Sequence, residues 1–239
     1  MTNLFLFDID GTLVWINDIH RDSYRLDYQR AFQRHVSDDI LIPIEGKSER
    51  GTHEAILEEL GIPHTEDLLN QLMDVHISNF VEALGNVQKI EPLDGVLDFL
   101  RFLKSKGDYL GAFTGNLKEP GELILEKTDL KDFFSIMSYA DGKKEKEQIV
   151  QHAIEQAERK KYDFNRVVII GDTIYDMKAG NDLKEKYLER YKIFVVGVAT
   201  SSNDPNTLEQ RIYALQEKNP DIVVPSLKYY QRILEKLNK

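Results

Sequence analysis

The chain has 239 residues, 41% apolar and 30% charged, which is enough for a sizeable core and argues against disorder. Its formal charge of −10 disfavours a general nucleic-acid or anionic-membrane binder, and the lack of cysteine excludes disulfides, thiol nucleophiles and zinc–thiolate sites. The N-terminal MTNLFLFDID has neither the basic region nor the long apolar run of a signal peptide, and no stretch approaches the roughly 18 apolar residues of a membrane helix, so a soluble, cytoplasmic protein is expected.

In chain order, the first strand is NLFLF (3–7). Residues from about 15 to 90 then show helical periodicity at 18–35, 50–60 and 65–84, with no convincing strand. Gly61-Ile62-Pro63 and Glu91-Pro92 punctuate this stretch. After it, GVLDFLRFLKSKG (95–107) puts Val96, Leu97, Leu100 and Leu103 on one helical face and stops at Gly107. The strand YLGAF (109–113) follows, then a weaker one, FFSIM (133–137). KEQIVQHAIEQAERK (146–160) reads as a helix, RVVII (166–170) as a strand and 176–191 as a helix. The chain closes with strand IFVVGV (193–198), a weaker strand DIVV (221–224) and a helix over 226–237.

Several of these strands are apolar at consecutive positions, which suits strands buried on both faces of a parallel sheet. Strands alternating with helices indicate a doubly wound α/β fold, mainly parallel. The simplest organisation is an α/β core of 1–14 plus 91–239, with a helical cap domain of 15–90 inserted after the first strand.

Three strong strands end in polar groups: Asp8-Ile9-Asp10-Gly11-Thr12, Thr114-Gly115-Asn116, and Gly171-Asp172-Thr173 followed by Asp176. In a parallel sheet all carboxyl ends lie on one edge, and ligands bind outside that edge. Asp8, Asp10, Thr114, Asp172 and Asp176 should therefore converge. Two like charges about 4 Å apart repel by roughly 4 kcal/mol at an effective dielectric of 20, so either proton affinities rise or a cation binds. An all-oxygen donor set suits Mg²⁺, whose natural companion is a phosphate. One aspartate can then act as nucleophile, and the other, two residues on, can serve as general acid and base. Each motif has a plainer reading: Asp172-Thr173 could cap a helix, and Thr114 could be an ordinary strand-end hydroxyl.

FDIDGTL, FTGN, a lysine-headed helix and IIGDTIYDMKAGN resemble the four motifs of the haloacid dehalogenase-like superfamily, across residues 5–181. The helical insert resembles the cap of its phosphoglycolate phosphatase and β-phosphoglucomutase-like branch. The resemblance implies an Mg²⁺-dependent phosphatase with Asp8 as nucleophile and metal ligand. It implies Asp10 as general acid and base, with its backbone carbonyl on the metal. Thr114 would bind the phosphoryl group, helped by Gly115 and Asn116; Asp172 would ligate the metal and Asp176 hold a metal-bound water. For the lysine, Lys146 fits the spacing to Ile149 and Val150, with Lys144 and Lys143 as alternatives. EGKSERGTHEAIL resembles the family's substrate loop, which places Gly46, Lys47 and Ser48 at the substrate, or else forms a plain loop into the next helix. His20 sits where related caps often carry a histidine near the hinge, but a lone histidine on a helix reads rather as a surface or packing residue, and the aromatic-rich 23–32 as insert core. His35, His53, His64, His76 and His152 show no metal-ligand spacing.

The expected activity is hydrolysis of a small phosphorylated metabolite, phosphoglycolate- or sugar-phosphate-like, through an aspartyl-phosphate. A phosphomutase with the same acids, a non-catalytic metabolite-binding protein and a receiver-like acidic pocket are the rivals. The substrate and the oligomeric state are not legible in the sequence.

Overall fold

The computed structural model describes residues 2–143, 145–200 and 205–239. Six parallel strands form a single sheet in the order β3-β2-β1-β4-β5-β6. They are β1 (Asn3–Asp8), β2 (Tyr109–Phe113), β3 (Ile136–Ser138), β4 (Arg166–Gly171), β5 (Lys192–Val198) and β6 (Ile222–Val224). The six strands expected from the sequence are all present, the two weaker ones shortened to three residues each.

Their continuous apolar runs follow from burial on two faces. In β1, Leu4 and Leu6 point into one hydrophobic cluster, and Phe5 and Phe7 into the other. In β4, Val167 and Ile169 join the first, Val168 and Ile170 the second. Successive side chains of a strand alternate faces, so a strand covered on both sides must be apolar throughout. Helices α7 (Lys146–Arg159), α8 (Ile174–Lys186) and α9 (Pro205–Gln216) cover the first face through Ile149, Ile154, Met177 and Leu215. Helices α5 (Val96–Lys106), α6 (Lys118–Lys127) and α10 (Tyr230–Leu237) cover the second through Phe99, Ile124 and Ile233.

Between β1 and α5 lie four helices: α1 (Asn17–Phe32), α2 (Asp38–Leu41), α3 (Glu49–Glu59) and α4 (Glu66–Gly85). They bury their own cluster around Tyr24, Tyr28, Ile56, Leu57, Leu69 and Leu72. Phe80 and Leu84 of α4 pack instead into the second-face cluster of the sheet, tying the insert to the core.

Some elements differ from the sequence reading. The helix expected over 176–191 starts at Ile174 and ends at Lys186. That expected over 226–237 is a 3₁₀ turn, Leu227–Tyr229, followed by α10. Helix α6 goes unread because Pro120 and Gly121 punctuate KEPGELILEK. Pro120 is harmless there: the first helical N–H groups have no intrahelical partner to lose. Helix α9 shows only a thin apolar stripe, Leu208, Ile212 and Leu215, behind an N-terminal proline.

Phe99 is fully buried, edge-on to Phe5 and Phe7 at 5.9 and 5.8 Å and stacked on Tyr230 at 4.9 Å. Phe99→Ala should therefore destabilise the fold by about 3–5 kcal/mol, read from the denaturation midpoint in urea.

Candidate active site

The strand order reverses direction between β1 and β4, and such a switch point leaves a crevice beyond the strand ends. Asp8 closes β1 there, and Asp172 follows β4. A tight turn after Asp8 folds Asp10 back over the edge, with Gly11 N–H donating to Val14 O at 2.7 Å. Gly11 has φ +79°, and a Cβ on it would stand 2.2 Å from Asp172 Oδ2. Only glycine fits both the backbone and the space.

The carboxylates of Asp8, Asp172 and Asp176 are buried, with oxygens within 4.8 Å of one another. Lys146, the first residue of α7, reaches between them, 2.7 Å from Asp8 Oδ1 and 3.2 Å from Asp176 Oδ1. This selects among the lysines read from the sequence. Lys143 is turned away, donating to the carbonyls of Tyr139 and Asp141, and Lys144 lies outside the described residues. Thr173, not Asp172, caps the next helix: its Oγ1 accepts from Asp176 N–H, and Asp176 Oδ2 accepts from Thr173 N–H and Oγ1. The capping box thus fixes Asp176 by one oxygen and leaves Oδ1 facing Lys146.

Asp10 stands on the other side of the edge. Its Oδ2 accepts from Asn116 Nδ2 at 2.6 Å and lies 3.5 Å from Thr114 Oγ1, while its buried Oδ1 has no hydrogen-bond partner. Thr114 and Gly115 follow β2 and sit beside it. The loop before α3 docks here as well. A Cβ on Gly46 would meet the Thr173 side chain, one on Gly115 would lie 2.3 Å from Lys47 O, and Glu49 N–H donates to Gly115 O. Gly46 and Lys47 therefore line the same pocket as Asp8, Asp10, Asn116 and Lys146. All ten candidate residues are gathered at one edge.

The charge balance at this edge is negative. Burial pushes the Asp8 carboxyl well up, against the pull of Lys146 and with further push from Asp176, Asp172 and Asp10. Burial and Asp176 raise Asp172 to about 7, against Arg211, Lys146 and the Thr12 hydroxyl. Lys146 is itself pushed up, because Asp176 and Asp8 outweigh its burial. Two cations do not neutralise this set. A hard dication fits: every donor is an oxygen, and Asp8, Asp172 and Asp176 converge on one point.

Several residues at or beside the site were given no role there by the sequence reading. Arg211 of α9 bonds Asp172 Oδ2 at 3.0 Å, and no motif marks it. Thr12 bonds Asp172 Oδ1 at 3.3 Å. His20 packs on Phe80, as a packing residue would, but also faces the pocket, 3.7 Å from Asp10 Oδ2. Tyr24 belongs to the insert core and lines the pocket at once.

Above the pocket runs a buried polar chain. His76 Nδ1 meets Asp27 Oδ2 at 2.6 Å, and its Nε2 lies 3.3 Å from Glu49 Oε2. Asn79 donates to Asp27 Oδ1, and Tyr24 OH donates to Glu49 Oε2. Burial would lower the imidazole, but Glu49 and Asp27 together raise it to about 10. Burial would raise Glu49, but His76 foremost brings it down to about 2. No local pattern marks this chain, since its members come from α1, α3 and α4.

The family model described as haloacid dehalogenase-like hydrolase matches residues 5–189. The chain belongs to this family. It is 23% identical over 205 residues to pyrophosphatase PpaX of Bacillus cereus (strain G9842), covering 80% of this chain and 89% of that protein. Its fold superposes on a β-phosphoglucomutase from Clostridium difficile with TM-score 0.78 and 19% identity, over 100% of this chain and 98% of the other. It also superposes on a predicted phosphoglycolate phosphatase from Haemophilus somnus 129pt with TM-score 0.70 and 17% identity, over 98% of each.

Two outcomes test this geometry. Lys146→Met should lower turnover of a phosphate ester by roughly 10²–10³-fold with the far-UV spectrum unchanged, because it removes the cation on two buried carboxylates. The second concerns pH. The folded-state value of His76 is raised above its unfolded one, so its contribution to stability is complete below pH 6.5 and is lost as pH rises toward 10. The stability gap between the parent protein and His76→Gln should be wide at pH 6 and narrow steadily to pH 9.5 in urea titrations. A gap constant with pH would refute the charged imidazole.

Proposed function

We propose that this protein is an Mg²⁺-dependent phosphatase acting on a small phosphorylated metabolite. The observation that carries the reading is the set Asp8, Asp10, Thr114, Lys146, Asp172 and Asp176, drawn from four separate segments and gathered at one strand edge. Asp8, Asp172 and Asp176, with the backbone carbonyl of Asp10, would hold the ion, which when bound supplies positive charge to the phosphoryl oxygens.

Asp8 attacks phosphorus, and the bond to the ester oxygen breaks to leave an aspartyl-phosphate. Asp10 gives its proton to the departing alkoxide. It then takes a proton from the water that attacks the aspartyl-phosphate, releasing inorganic phosphate and restoring Asp8. Asn116 holds Asp10 in place through a 2.6 Å bond to Oδ2. Thr114 and the N–H groups around Gly115 receive phosphoryl oxygens, and Lys146 pulls Asp8 toward its ionised form against its burial. The helical insert acts as a cap that limits water at the reacting centre, with Gly46 and Lys47 reaching the substrate. The likeness to a pyrophosphatase supports the reaction class. No helix among the described residues is long and apolar enough to cross a membrane.

Phosphate release from a panel of phosphate esters tests this. Release should require Mg²⁺, stop with EDTA and resume when Mg²⁺ is restored. Asp8→Asn should keep the fold and lose on the order of 10⁴-fold or more in turnover. Free phosphate identifies a phosphatase, whereas an isomerised ester identifies a mutase. Turnover by Asp8→Asn at the parent rate would remove Asp8 from its role.

A further inference from the structure

The pocket has a second wall. Asp8, Asp10 and Lys146 line the pocket from the strand ends and Tyr24 and Glu49 from the insert, with His20 between them, 3.7 Å from Asp10 and within 4.8 Å of Glu49. Glu49 is the unusual member. It is only 2% exposed, yet it lines the pocket, and a buried carboxylate is costly unless it is held as an anion by partners. It has such partners. Tyr24 OH and His76 Nε2 both lie against Oε2, and His76 is fixed from behind by Asp27, which Asn79 holds in turn. The His76 ring is stacked on Tyr24 at 4.3 Å, so it cannot swing away cheaply. From the core side, Glu49 N–H is anchored on Gly115 O at 2.8 Å. Glu49 is thus held both at its backbone and at its carboxylate.

The chain Asp27–His76–Glu49 carries two carboxylates and one imidazolium, a net single negative charge at the insert end of the pocket. The neighbouring cation does not cancel it. Arg21 is committed to Glu45 at 2.6 Å and to Asp18. Lys47 holds its ammonium over the Tyr175 ring of α8. A ligand placed with its phosphoryl group at Asp8 therefore meets a hydrogen-bond acceptor at its other end.

We propose that Glu49 is the specificity-determining group of the pocket, with Oε1 accepting hydrogen bonds from a hydroxyl or ammonium group of the substrate remote from the phosphoryl group. The substrate class is then a monophosphate ester of a polyol, sugar or amino alcohol. Compounds with a second anionic end, such as pyrophosphate, a bisphosphate or phosphoglycolate, place like charge against Glu49 and are poor substrates. His76 and Asp27 are positioning residues that act through Glu49. This inference rests on the phosphatase reading above and narrows it.

The test uses the full chain with Mg²⁺ and compares kcat/KM for glycerol 3-phosphate, glucose 6-phosphate and ethanolamine phosphate with that for phosphoglycolate, pyrophosphate and fructose 1,6-bisphosphate. The parent protein should favour the first group by at least about tenfold, one hydrogen bond to a charged group being sufficient for that. Preference for ethanolamine phosphate over glycerol phosphate identifies the ammonium form, and the reverse the hydroxyl form. Glu49→Gln should lower kcat/KM for the first group and raise it for the second, mainly through KM. The same order is read without turnover by calorimetric binding of these compounds to Asp8→Asn, so loss of the phosphatase reading does not hide the answer. Parent-protein preference for anion-ended compounds in either assay overturns the proposal, as does a Glu49→Gln variant that folds and keeps the parent order.

Discussion

Everything at this site depends on one electrostatic constraint: three buried carboxylates share a space that ordinary protein cannot neutralise. Asp8, Asp172 and Asp176 face one lysine within the cluster and one arginine at its rim. Repulsion in a low-dielectric crevice is affordable only if the fold holds the groups there by other means. It does so with the backbone. Asp8 is the last residue of a strand paired on both sides, and Asp176 is locked by a capping box. Asp172 is wedged against the space a Gly11 side chain would need. The crevice is a prearranged demand for positive charge, which a dication would meet.

The two faces of the sheet explain why so much of this was legible. A strand buried on both sides must be apolar at every position, so NLFLF, YLGAF, RVVII and IFVVGV stand out, and polar groups at the ends of the first three mark the edge. The four motif aspartates and Thr114 are readable because the site is built at and just beyond strand ends, where residue type and position coincide. Lys146 is readable only by its distance from an apolar pair, and neighbouring lysines compete with it until α7 is seen to aim one of them inward.

What was not legible has a common cause. Arg211 acts from the face of a weakly patterned helix, with nothing local to distinguish it from other surface arginines. Glu49, His76, Asp27 and Tyr24 come from three helices and meet only in the packed insert. A lone histidine on a helix carries no information about a partner 49 positions away, the separation of His76 and Asp27. Helix α6 was hidden by a proline that costs nothing in the first turn. Local pattern reports the burial of each segment; it does not report which polar groups burial brings face to face.

The central position of β1 has a consequence for synthesis. This strand is flanked by β2 and β4, both made long after it, and the lysine that meets Asp8 lies 138 residues downstream. During translation, NLFLF leaves the ribosome with two unpaired edges and two uncovered apolar faces, and it waits while the whole helical insert is made. Such a segment is prone to pair with the wrong chain. The insert, which closes its own hydrophobic cluster from residues 24–72, can form in that interval. Until β2 and β4 arrive, β1 keeps two edges to which other chains could pair.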